Sequence, residues 1–325
     1  MLISSEQDMG KFVYHKVADL NFYSILKELS KLELVLLAKN LNIKNISNKT
    51  KGELQTIIQS DLYFYLEHYL MLMNDQHLKL LNLFLINQTK EKPFKVSSNH
   101  LQFFISYGII YPVIYQDRKM FIIPKEINHY LYKLFETDFT DIFNRNNRII
   151  DFAKLCLDTY GLIEYQKFHY LYQSKYQYDQ IFTDFKDVLL LDANLNHEFI
   201  CDNDYFYLKE LKNLKITFLE KRNQYKYYDY NVDLINHENL LKDSHQVFHK
   251  KVTKWLKHMD QELVNQIFEE LLFQLNIGTS LIELENSFTK DEVLVQGKDL
   301  KKLFKKILKY HNHLYLWYLK GNQLV

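Results

Sequence analysis

Seven glycines and three prolines in 325 residues leave this chain almost free of obligatory backbone breaks. Glycine weakens a helix and proline ends one, so a chain this poor in both can run helix through most of its length. Hydrophobic residues make up 47% and charged residues 25%, the balance of a globular protein and not of a disordered one. The length allows two or more domains, each with a sizeable core. The expectation is a mainly α protein in which strands are confined to short β-hairpins.

Residues 26–60, LKELSKLELVLLAKNLNIKNISNKTKGELQTIIQS, hold the clearest local pattern. Leu34, Leu37, Ala38 and Leu41 fall at helical spacing, with Lys31, Glu33 and Lys39 on other faces. A polar stretch bracketed by Ile43 and Ile46 runs to Thr50. Glu53, Leu54, Ile57 and Ile58 then resume the period. Ser47 or Thr50 caps the second helix, and Glu53 stands three residues beyond Thr50 as in a capping box.

These residues, with Lys49 and Lys51, resemble the SAP-type helix–extended loop–helix and the similar N-terminal subdomain of the transcription terminator Rho. The resemblance covers about a tenth of the chain. Where the SAP loop is usually glycine-rich, this sequence has Asn45-Ile46-Ser47-Asn48. The resemblance implies duplex DNA as ligand, with phosphates met by Lys44, Lys49 and Lys51. A helix start offers free N–H groups and a positive dipole end to the same phosphates. The alternative is a small helical docking module that touches no nucleic acid, since a fold does not fix a function.

Downstream, His77 to Asn87 is apolar nearly all round, as a buried helix would be. A polar stretch to Pro93 ends it. A second helix is predicted from about Ser97 to Tyr107, with Gly108 as its C′ residue. Two β-rich runs, Ile109 to Tyr115 and Lys119 to Ile123, join at Gln116-Asp117-Arg118. Helix, helix, hairpin is the order of a winged-helix unit, with Asp117 and Arg118 at the wing tip. The order repeats with helices at Asn147–Thr159, Tyr165–Tyr176 and Tyr178–Leu191. The second hairpin has arms Glu198–Cys201 and Tyr205–Leu208 around Asp202-Asn203-Asp204. The expected organisation is a helical module at 1–61, winged-helix-like units at 62–135 and 136–235, and a helical region at 236–325.

Charge sets how far DNA binding extends. Lys90, Lys92, Lys95 and Asn99 precede or open the groove helix of the first unit, and Arg118 marks its wing. The corresponding helix of the second unit carries Asp179, Asp184 and Asp187 against Lys186, which phosphates would repel. A net charge of +1 gives no global basic field, so any nucleic-acid contact is a local patch. The abundance of tyrosine and phenylalanine, with asparagine, isoleucine and lysine, fits AT-rich coding and is no evidence of base stacking.

The C-terminal candidates are helices at His245–His258, Gln261–Asn276, Ser280–Phe288 and Lys298–His311. Asp260 to Glu292 holds eight acidic residues, and Lys298 to Lys309 holds six lysines. In the basic helix Leu300, Leu303, Phe304, Ile307 and Leu308 form a core face with solvated lysines; the other reading is a surface for nucleic acid, anionic membrane or an acidic partner. Trp317 and Gly321 suggest a last aromatic anchor.

Signs of catalysis are few. His245 and His249 lie four apart without a third ligand or HExxH, and the sequence has no phosphate-cradling loop or nucleophile elbow. Cys156 and Cys201 show no ligand or disulfide spacing, so neither metal nor cofactor is expected and a reducing cytoplasm is the expected compartment. The opening MLISSEQDMGKF has no secretion-signal pattern, and no apolar run reaches membrane-spanning length. The expectation is a non-enzymatic DNA-associated regulator with duplex DNA and a protein partner, the latter through residues 136–325. The alternative is a protein-interaction adaptor or inhibitor that binds no DNA.

Overall fold

A computed structural model describes residues 12–87, 97–135, 140–176, 182–226, 228–237, 239–290 and 297–324. It is mainly α, with fifteen α-helices and two three-stranded sheets among the described residues. No described helix is long and apolar enough to cross a membrane. The chain divides into two compact units. The first comprises Met1–Ile149 with Asp187–His197, the second Ile150–Lys186 with Glu198–Val325.

The first unit begins with β1 (His15–Lys16) and helices α1 (Phe22–Glu28), α2 (Lys31–Asn40) and α3 (Lys51–Leu72). On α3 the buried residues Leu54, Ile58, Leu62, Leu66 and Leu70 recur every fourth position, so one stripe faces the core. The stripe continues unbroken past residue 61. Residue 61 lies inside this one continuous helix. Asn146, fully buried, ends α3 by donating its Nδ2 to the carbonyls of Met71 at 2.9 Å and Met73 at 2.7 Å.

Helices α4 (Asp75–Asn87) and α5 (Ser98–Ser106) follow. The all-round burial expected of α4 is corrected: Leu83 and Ile86 are exposed, because the core takes only the face bearing Leu78, Leu81, Phe84 and Leu85. Gly108 at φ +69° closes α5, with its N–H on Ile105 and that of Ile109 on Phe104, a Schellman pair. The hairpin β2 (Tyr111–Tyr115) and β3 (Arg118–Ile122) turns on Gln116 and Asp117 alone, at φ +48° and +59°. Two left-handed residues match the strand twist. Beyond the sequence expectation, β1 adds to β2 in parallel, pairing His15 with Val113. Helix α6 (Lys125–Phe135) packs behind, its Glu126 accepting from the Phe22 N–H at 2.9 Å.

Helix α7 (Thr140–Tyr160) leads to β4 (Leu162–Glu164), α8 (Tyr165–Tyr176), α9 (Phe182–Asn196), β5 (Phe199–Cys201) and β6 (Tyr205–Leu208). Both β4 and β5 pair antiparallel with β6, in the order β4-β6-β5. At the turn between β5 and β6, Asp202 Oδ1 accepts the Asp204 and Tyr205 N–H groups, so turn chemistry accounts for the paired acids. In the first unit, Asp192 near the end of α9 accepts from Asn74 Nδ2 at 2.8 Å, and both are buried.

The rest of the second unit is helical: α10 (Lys215–Gln224), α11 (Val232–Asn236), α12 (Asn239–Trp255), α13 (Gln261–Asn276), α14 (Leu281–Lys290) and α15 (Gly297–Tyr310). On α15 Leu303, Phe304 and Ile307 are core, whereas Leu308 is 59% exposed; its place on the apolar side is corrected. It lies about 40° beyond Phe304 around the helix, past the edge of the buried stripe. Arg222 of α10 is 4% exposed and holds three segments together. It donates to the carbonyls of Tyr160 at 2.5 Å, Leu162 at 2.8 Å and Trp317 at 2.9 Å. Trp317 docks as the anchor expected, its Nε1 donating to the Asp158 carbonyl at 2.8 Å. Its ring lies 2.7 Å from where a Cβ on Gly161, at φ +69°, would stand.

Candidate functional site

The lysine-bearing loop between α2 and α3 is built by two helix ends. Helix α2 starts in a full capping box: Ser30 Oγ accepts from Glu33 N–H, and Glu33 accepts from Ser30 N–H at 2.7 Å. It ends at Asn42, which takes φ +57° and donates to Lys39, while Ile43 N–H reaches back to Ala38. Asparagine tolerates the left-handed region through its short polar side chain. Asn45 does the same at φ +58°. Two left-handed asparagines thus turn the chain between α2 and α3. Ile43 and Ile46, each directly after one of these asparagines, are buried and pin the loop to the core.

Helix α3 starts in a second capping box. Thr50 Oγ1 accepts the Glu53 N–H, and Glu53 accepts the Thr50 N–H at 2.8 Å. Those bonds, first from the Thr50 backbone and hydroxyl and then from Lys49, push the Glu53 carboxyl down to about 2. A carboxylate therefore already occupies the position where a phosphate would meet the helix start.

The predicted lysines share one stretch. Lys44 and Lys51 are exposed and Lys49 half-exposed. Lys44 Nζ donates to Asn42 Oδ1 at 2.5 Å, Lys49 Nζ lies 3.3 Å from Glu53 Oε1, and Lys51 Nζ donates to the Lys27 carbonyl at 2.8 Å. None is buried, so each remains able to turn outward. Asn99 is exposed on the first turn of α5, and Arg118 is exposed at the start of β3. They sit on different elements from the loop. Lys90, Lys92 and Lys95 lie outside the described residues, as does Asp179.

The α2–loop–α3 segment is tied to α5 by Asn40 Nδ2, which donates to the Ser106 carbonyl at 3.0 Å, and its two helices are tied together by the Tyr69 hydroxyl, which donates to the Asn40 carbonyl. Near α2, β1 contributes His15, whose Nε2 is 2.8 Å from Glu33 Oε1. Sequence spacing could not reveal that pair, which closes only when β1 joins the sheet.

The two histidines at metal-like spacing have other roles. His249 Nε2 bonds Asn265 Oδ1 at 3.0 Å. His245 is buried enough to push its imidazole down to about 4, which keeps it neutral. No group of three potential metal ligands occurs among the described residues. Comparison with protein-family models, with curated proteins and with solved structures finds no match to this chain.

Proposed function

We propose that this chain is a non-enzymatic DNA-associated regulatory protein, contacting duplex DNA through the α2–loop–α3 segment and the α4–α5–hairpin unit. The observation that carries the reading is the loop itself. It is held rigid by Ile43, Ile46 and two left-handed asparagines, and it presents Lys44, Lys49 and Lys51 within eight residues at the start of a helix. Exposed cations on a backbone pinned to the core suit sequence-independent phosphate contact. Supporting the winged-helix-like reading is the order of elements. Residues 140–208 run helix, strand, helix, helix, strand, strand, with the first strand paired to the last. The first unit departs from that order, since its third strand, β1, comes from before the helices and runs parallel to β2. In this reading residues 136–325 recruit a protein partner.

The decisive measurement is an electrophoretic mobility shift on duplex DNA over a salt series. Lys49→Glu with Lys51→Glu should weaken binding and lower the salt slope by about 2, roughly one for each phosphate no longer neutralised. No shift of the intact protein at low salt overturns the proposal. One observation favours the second reading, an adaptor or inhibitor that touches no DNA: Lys49 and Lys51 are each engaged within the protein, and Glu53 covers the helix start. A partner that co-purifies through nuclease treatment, from a protein that shifts no DNA, would establish it.

A further inference from the structure

The second unit contains an open cavity of about 970 Å³ that the DNA reading leaves unused. One wall is a single face of α13. Glu262, Gln266, Glu269, Phe273 and Asn276 line the cavity at intervals of four, three, four and three residues, the spacing of one helical stripe. The opposite stripe, Val264, Ile267, Leu271 and Leu275, is buried core. Facing α13 are Leu241, Lys242 and His245 of α12, with Asp158 at the end of α7 and Glu210 after β6. Trp317 completes the lining, its indole N–H tied to the Asp158 carbonyl and its ring centroid 6.1 Å from that of Phe273 in an edge-on contact.

Two properties point to a ligand. The first is charge: five carboxylates, Glu270 included, line the cavity against the single ammonium of Lys242, and His245 is neutral. The second is independent of charge. Asn276 is 2% exposed, and its Oδ1 has no hydrogen-bond donor; His245 Nε2, also buried, has no partner either. Buried polar groups are nearly always satisfied, and an amide oxygen is satisfied only by a donor. A cavity with excess carboxylates and an unpaired buried acceptor is complementary to a cation that carries N–H groups.

The geometry points further, to the kind of cation. Glu262 and Glu269 are seven residues apart on α13, about 10 Å at a rise of roughly 1.5 Å per residue. In an extended chain, residues three apart are separated by about the same distance. An aromatic pair beside the carboxylates suits a guanidinium, which stacks on rings while its fork meets a carboxylate. We propose that this cavity seats an extended basic segment of a partner protein, with arginines three residues apart meeting Glu262 and Glu269 and one stacking on the Phe273–Trp317 pair. The proposal rests on the reading that the second unit recruits a protein, and it names the chemistry of that protein.

The test is fluorescence anisotropy of the full-length protein with a fluorescein-labelled decapeptide bearing two arginines three residues apart, at about 0.15 M salt. The expected result is saturable binding that Glu262→Gln with Glu269→Gln weakens at least about tenfold. Glu220→Gln with Glu285→Gln, acids outside the cavity, should change it less than about twofold, although it alters net charge equally. Gln266→Lys, which places a positive charge in the middle of the wall, should abolish it. The proposal is overturned by no binding, by equal loss from both pairs of variants, or by spermine binding at the same residues where the peptide does not. A partner that co-purifies equally with wild type and with Glu262→Gln/Glu269→Gln would also overturn it, while leaving recruitment by the second unit intact.

Discussion

Replacing Arg222 by methionine should be among the most damaging single changes in the second unit. The guanidinium is buried, lies over the Phe218 ring with its central carbon 4.7 Å from the centroid, and donates to three carbonyls from α7, β4 and the C-terminal turn. Each charge-assisted bond is worth roughly 1.5–3 kcal/mol, so three give about 5–9 kcal/mol gross. Desolvating the guanidinium in the native protein offsets several of these. Methionine fills the volume and abolishes that cost, but leaves the buried Tyr160 and Leu162 carbonyls without this donor, at about 1–3 kcal/mol each, while the Trp317 carbonyl keeps the Lys320 N–H at 2.9 Å. The net expectation is a loss of about 3–5 kcal/mol. Arg222→Lys should recover only part of it, because an ammonium is a point donor and cannot span carbonyls that the planar fork reaches. The assay is urea denaturation followed by tryptophan fluorescence. The only tryptophans, Trp255 and Trp317, both belong to the second unit, so the signal reports that unit alone. An Arg222→Met midpoint corresponding to less than about 1 kcal/mol of loss at unchanged m-value would refute the reasoning.

Three other outcomes follow from the same structure. Gly161→Ala, which forces a Cβ to within 2.7 Å of the Trp317 ring at a left-handed φ, should cost about 2–4 kcal/mol and alter the tryptophan emission; calorimetry with fluorescence checks both. Thr50→Ala should lower stability by about 1 kcal/mol in thermal melts by removing the cap of α3. His77, buried on α4, and His245 are both pushed down to about 4 by burial, His77 with the further opposition of His100. A histidine whose folded value lies below its unfolded value binds fewer protons when folded. Stability is therefore full above the unfolded value of about 6.5 and falls as pH drops toward 4, by on the order of 2 kcal/mol per histidine at about pH 5. Denaturation midpoints across that range should show the fall, and His245→Gln should flatten its share of it in the tryptophan signal.

What the sequence made legible is local. Gly108 reads as a helix stop because the left-handed position it fills is decided by its neighbours, and Thr50 with Glu53 reads as a capping box for the same reason. Helix α13 has the predicted bounds, since Asp260 caps it with bonds to the Glu262 and Leu263 N–H groups and Gly278 follows its end at φ +81°. Elements decided by distant partners were hidden. Strand β1 is two residues long and exists only through β2, far along the chain, and β4 is three residues whose pairing lies on β6. Leu308 falls outside the buried stripe, and a cluster of apolar letters fixes a stripe only to within a residue. Of the candidate site, the loop lysines follow from the resemblance to the SAP pattern, position by position. That α12, α13 and Trp317 enclose an acidic cavity depends on packing between segments that no local pattern joins.

The buried Asn74–Asp192 bond has a consequence for how the protein is made. Its partners are 118 residues apart, and the first unit takes in Asp187–His197 after the chain has already entered the second. A chain emerging from the ribosome therefore holds Asn74 without its partner until residue 192 has been synthesised. Domains usually fold as units in order of synthesis, but here the N-terminal unit must wait for a segment that follows the start of the C-terminal one. No single cut separates the two, and a truncation between residues 150 and 186 would deprive Asn74 of its acceptor.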